Sequence, residues 1–190
     1  MGSNNIDKLT KSLPDWQKIL NPDIVKSNLT LASLYLSAYE LLRDLILGRI
    51  KNFFSEPSKT STGWDIIPSK EYKDEVLCRA KNVIHASCLW LKKMNAINED
   101  DIKAIQEIRR HRNEIAHELP KLLVDNNFSI DVNQFLKIRE LLTKIERWWI
   151  IEFEMAINED FDNIDVEPEK VLSGPMILLD HLIVIATKGP

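Results

Sequence analysis

An arginine, an amide and an imidazole stand close together at Arg112, Asn113 and His117. Those groups suit phosphoryl transfer without a metal. For RNA cleavage, His117 would move a proton at the 2′-hydroxyl or at the leaving 5′-oxygen, since an imidazole ordinarily titrates near neutrality. Arg112 would hold the phosphate and stabilise charge building in the transition state, a task its planar fork suits better than an ammonium would. Asn113 would orient either group. Just upstream, Arg109, Arg110 and His111 add local positive charge. The simplest reading of those three is a solvated face, and phosphate steering by Arg109 and Arg110 is the second.

These residues belong to one amphipathic helix. Ile105, Ile108, Arg112, Ile115, Leu119 and Leu122 recur at intervals of three and four, which puts Arg112 in an apolar seam. A guanidinium there must be paired or must face a cleft, because burying it unpaired is costly. A structural interhelical ion pair is therefore the competing role for Arg112. Asn113 and His117 are four apart and share a face. Arg112 and His117, by contrast, lie about 140° apart around an ideal helix and do not converge unaided. A second copy of the helix, related by a two-fold axis, would line one cleft with two arginines and two histidines.

The elements that must position this helix can be read from caps and breakers. Asn98, followed by Glu99, Asp100 and Asp101, starts the motif helix, which runs to about Leu119, where Pro120 marks its end or a kink. Upstream, Asn21-Pro22 opens a long helix to about Phe54, with Leu31, Leu34, Ala38, Leu41 and Leu45 on one stripe. Residues 55–69 read as a surface connection pinned by Trp64, Ile66 and Ile67. A second long helix is expected over about 71–95, its face marked by Val76, Leu77, Ala80, Ile84, Leu91 and Met94, with His85 exposed off that face. The turn at 125–127 precedes a fourth helix over about 132–158, carrying Phe135, Ile138, Leu142, Ile145 and Trp149. Trp148 and Trp149 point about 100° apart, so packing suits the pair better than base stacking in one groove. Six acids between Glu159 and Glu169 form a solvated linker, without the glycine or alternating oxygen register of a calcium loop. A last helix starts near Pro168 and restarts at Ser173-Gly174-Pro175. Within it, Asp180 and His181 interrupt an apolar run and would form a buried pair or line an interface.

Composition narrows the class. The chain has 190 residues, 44% hydrophobic and 28% charged, as expected of one ordinary globular domain. Five glycines fall well below the usual ~7% and argue against a strand-rich fold and against glycine-rich phosphate loops. Between Gly63 and Gly174 there is none, so a phosphate site there must use side chains rather than a glycine-rich backbone cradle. The net charge of -4 excludes a generally basic nucleic-acid coat, though not a local patch. Cys78 and Cys88 would be roughly 15 Å apart along one helix, beyond disulfide reach, and two cysteines alone make no metal site. No secretory signal and no bilayer-length apolar run is apparent, so a cytoplasmic setting without membrane contact is expected. The expectation is an all-α single domain over 1–190: an antiparallel bundle of four long helices over 22–158, an acidic linker and C-terminal helix over 159–190, and short terminal helical additions.

Arg112-Asn113-Glu114-Ile115-Ala116-His117 resembles the signature of the HEPN superfamily (higher eukaryotes and prokaryotes nucleotide-binding): an arginine, a polar residue and, after four to six residues, a histidine. The setting is similar too, with Ala38-Tyr39-Glu40 on a long first helix, a variable loop, a second helix, the motif helix and a fourth. The resemblance covers about 22–158. It implies a homodimeric, metal-independent endoribonuclease with a composite cleft, no cofactor, single-stranded RNA as substrate, and a place in a toxin–antitoxin or antiviral defence system with a corresponding partner. Some members of the family are instead non-catalytic modules that bind RNA or a nucleotide, and such a module, holding RNA, a nucleotide or a protein, is the alternative reading. Glu40 or Asp44 is the candidate acid to salt-bridge and orient Arg112. Family toxins silenced by a partner nucleotidyltransferase carry a tyrosine two residues after the histidine; here Glu118-Leu119 follows, which argues against that form of control.

Overall fold

In the computed structural model, which describes residues 20–61, 63–125, 128–161 and 166–188, Asn21 caps the first helix through its side chain. Its oxygen accepts from the amides of Asp23 and Ile24 at 3.0 and 3.4 Å, and Pro22 occupies the first turn, where no amide is needed. The helix α1 (Pro22–Phe53) then runs unbroken, burying Tyr35, Ala38, Leu42, Ile46 and Ile50.

The chain next departs from the expected surface loop. Residues 55–68 form an antiparallel hairpin, β1 (Ser55–Thr60) and β2 (Gly63–Pro68), paired from Ser55↔Pro68 to Thr60↔Gly63. Gly63 has φ +138°, a conformation that disfavours any side chain, so this one glycine serves a turn. The hairpin is not pinned as expected: Trp64 and Ile66 remain 76% and 71% exposed.

The second helix is also shorter than expected. A π-helical turn (Tyr72–Val76) and a 3-10 turn (Leu77–Arg79) end at Ala80, which is fully extended at φ -160°, ψ 157°. Asn82 then caps a fresh helix, α2 (Val83–Lys93), by accepting from the His85 amide at 3.1 Å. The apolar periodicity runs across this break, but the backbone does not. His85, expected to be exposed, is half-buried with Nδ1 3.3 Å from Gln106 Nε2.

The motif helix α3 (Glu99–His117) opens on a reciprocal capping box. Asn98 accepts from the Asp101 amide and Asp101 accepts from the Asn98 amide, each at 2.9 Å. It stops at His117, and a short helix α4 (Leu119–Val124) starts with Pro120 in its first turn, so the proline marks a restart. Asp131 caps α5 (Val132–Trp149), which continues as a π-helical turn (Ile150–Glu154). The last helix is α6 (Gly174–Lys188). The expected N-terminal addition (1–19), residues 126–127 of the turn and residues 162–165 of the acidic segment lie outside the described residues.

The fold is mostly helical, and among the described residues the hairpin is the only sheet. α1 packs against α2, α3, α4, α5 and α6, and so carries the core through its length. Phe135, Ile138, Leu141, Leu142 and Ile145 of α5 and Ile105, Ile108 and Ile115 of α3 complete it. At the far end of α1, Trp148 and Trp149 join Phe53, Trp90 and Phe153 in a contiguous aromatic cluster. Beside it Arg49 pairs with the buried Glu146 at 3.0 Å and with Glu154. Asp180 pairs with Arg139, whereas His181 is exposed. Cys78 is exposed and Cys88 buried, both as free thiols. Among the described residues no helix is long and apolar enough to cross a membrane.

Candidate functional site

The site is set by where α3 lies against α1. Tyr35 holds the two together: its hydroxyl donates to the Ile108 carbonyl at 3.4 Å and its ring meets the His111 ring edge-on, centroids 5.1 Å apart. His111 is therefore not part of a solvated face. Its side chain is 16% exposed, and Nε2 accepts from the Asp131 amide at 3.2 Å, tying α3 to the start of α5.

One residue on, Arg112 turns toward α1. Nη2 donates to Glu40 Oε1 at 3.0 Å, Nη1 donates to Asn113 Oδ1 at 3.4 Å, and the guanidinium carbon lies 5.4 Å from the centroid of the Tyr39 ring. The same Glu40 accepts from Arg43 at 3.1 Å through its other oxygen. Of the two acids expected to orient the arginine, Glu40 meets it. Asp44 is exposed and folds back against Gly48, with no ion pair to Arg112 among the described residues. The Arg112 side chain keeps 32% of its surface, so it neither disappears into the core nor stands free in solvent. Its Nε is buried without an acceptor. Burial raises the pKa of Tyr39 beneath it, an effect Arg109 and Arg112 partly offset by favouring the phenolate.

His117, at the last position of α3, is exposed and lines a groove of about 420 Å³ with Arg109, Arg110, Asn113 and Glu114. Arg112 instead lines a larger cleft of about 640 Å³ between α1, the 80–84 joint and α3. Arg109 and Asn113 border both. Within one chain the arginine and the histidine thus face different hollows that share a ridge. Arg110 lies near Glu114, 3.9 Å away, on the His117 side.

Two cations of the larger cleft, Arg43 and Lys81, escaped sequence reasoning. Arg43 follows Glu40 by three residues and could have been found as its helical partner. Lys81 carried no signal except its place beside the N-cap Asn82. Among the described residues no group of three His, Cys, Asp or Glu side chains is placed to hold a metal ion. In comparisons with known proteins, the chain matches no family model, no curated protein and no solved structure.

Proposed function

We propose that this chain is a HEPN-like endoribonuclease that cleaves single-stranded RNA without a metal, at a composite cleft formed by two copies of an antiparallel four-helix bundle. The observation that carries the reading is Arg112. Glu40 and Asn113 hold its fork at the wall of an open cleft, with 32% of the side chain's surface still exposed. His117 sits on the same helix at the end of the adjoining groove, exposed and free to meet a substrate.

In the reaction, the 2′-oxygen attacks the adjacent phosphorus as its proton is removed, and the bond to the 5′-oxygen breaks as that oxygen gains a proton. The products are a 2′,3′-cyclic phosphate and a 5′-hydroxyl. His117 of one copy moves one of these protons, at the 2′-hydroxyl or at the leaving 5′-oxygen, and water exchanges the other. Arg112 stabilises the charge gathering on the non-bridging oxygens. The two-fold pairing is supported by the separation of Arg112 from His117 around α3, which a second copy repairs. Toxin or defence use, with a partner to match, rests on the resemblance of the motif.

A second reading has its own support: the cation-lined cleft lies apart from His117 within one chain, and binding alone would need only that cleft. Labelled single-stranded RNA incubated with pure protein in EDTA separates the two. The nuclease reading expects cyclic-phosphate ends from the wild type and their loss in His117→Ala. Binding without cleavage, or cleavage undiminished in His117→Ala, overturns it.

A further inference from the structure

The break before α2 puts charge where an uninterrupted helix would not. Because Ala80 is extended and Asn82 starts a new helix, Lys81 and the first turn of α2 enter the lining of the 640 Å³ cleft that also holds Arg112. Arg43, Lys81, Arg109 and Arg112 line this cleft, with Glu40 as the single acid. Glu40 already serves Arg43 and Arg112, and among the described residues Lys81 and Arg109 have no carboxylate partner. A chain of net charge -4 has thus gathered four cations against one acid in a single concavity. Cations clustered in one concavity attract an anion, and the N-terminal turn of α2 adds amide dipoles of the same sign.

We propose that this cleft holds the phosphodiester backbone of single-stranded RNA next to the cleaved linkage, with Lys81 and Arg43 as substrate-binding residues for a flanking phosphate. The proposal rests on the nuclease reading for the identity of the cleaved linkage, but the binding itself does not require cleavage. A flexible polyanion fits better than a folded acidic partner, because Arg109 and Asn113 join this cleft to the His117 groove and a single strand can follow both. Lys81 is exposed on the joint and Arg43 on α1, so replacing either leaves the core intact.

The test uses the full chain and a fluorescent single-stranded 2′-deoxy oligonucleotide, which lacks the attacking hydroxyl and survives intact. Lys81→Ala and Arg43→Ala are each expected to weaken binding about three- to tenfold and to reduce the slope of log K against log salt by about 0.7, the mark of one lost phosphate contact on a single strand. Lys81→Arg is expected to retain most of the affinity, and Lys59→Ala, on the hairpin, all of it. Unchanged affinity and salt slope in Lys81→Ala and Arg43→Ala overturn the proposal, and so does displacement by polyglutamate as effective, charge for charge, as by unlabelled oligonucleotide. Wild type that cleaves RNA while Lys81→Ala binds normally refutes this inference alone. Wild type that binds through Lys81 yet never cleaves refutes the nuclease reading alone.

Discussion

Replacing Arg112 by alanine separates the two roles its guanidinium can have. As a structural tie it is weak: the ion pair to Glu40 joins side chains 32% and 44% exposed, a setting in which such pairs contribute about 0.2–1 kcal/mol. The contact over Tyr39 adds about 0.5–1 kcal/mol. Against these stands the buried Nε without an acceptor, whose removal recovers about 1–3 kcal/mol of desolvation cost. The terms nearly cancel, so the melting temperature of Arg112→Ala should lie within about 4 °C of wild type, given about 2–4 °C per kcal/mol for a domain of this size. As a transition-state donor the same side chain should matter far more, and kcat for RNA cleavage should fall about 10²- to 10³-fold. Arg112→Lys keeps the charge beside Glu40 but loses the fork, so it should melt like wild type and remain at least about tenfold slower. Thermal unfolding by circular dichroism and single-turnover cleavage of a labelled oligoribonucleotide measure the two effects side by side. A melting point lowered by more than about 10 °C, with undiminished activity per folded molecule, would refute the reasoning and make Arg112 a structural residue.

Three further outcomes follow from the packing. Arg49→Ala strands the buried Glu146 carboxylate and should cost about 3 kcal/mol in urea unfolding, much of it restored by the double variant Arg49→Ala/Glu146→Leu; equal stabilities of the single and double variants would contradict this. His111→Phe keeps an aromatic ring against Tyr35 but leaves the Asp131 amide without its acceptor, so it should lose about 1–2 kcal/mol, whereas His117→Ala, being exposed, should change stability by less than about 0.5 kcal/mol. Burial raises the pKa of all three tyrosines, Tyr35, Tyr39 and Tyr72. The folded state therefore holds these protons more tightly than the unfolded chain does, and the stability they contribute is complete below pH ~10 and lost as pH rises beyond it. In the folded protein tyrosinate absorbance should rise at higher pH than in the unfolded chain; tyrosines titrating near pH 10 with the helices intact would show otherwise.

Much of the helical frame is written locally. Asn21-Pro22, the Asn98 capping box and the periodic apolar faces of α1, α3 and α5 each act within a few turns, and a reader of the sequence can find them. The hairpin at 55–68 was hidden because both its faces are largely exposed, leaving no apolar alternation, and because its turn lacks an Asn-Gly or Asp-Gly pair. The break at Ala80 was hidden by periodicity that continues across it, with only Asn82 as a local sign. At the site, the separation of Arg112 from His117 follows from helix geometry alone. The choice of Glu40 over Asp44 does not, since the acids sit one turn apart on α1 and the partner arginine comes 72 residues after Glu40. His111 looked solvated for the same reason: Tyr35 and the Asp131 amide are both distant in sequence.

The composite cleft is tested most directly by mixing two inactive chains. Arg112→Ala and His117→Ala should each fail to cleave single-stranded RNA in EDTA. Combined and allowed to exchange subunits, they should recover activity, because a mixed dimer brings the arginine of one chain to the histidine of the other. No cleavage at any mixing ratio, with wild type scattering light as a monomer, would contradict the account.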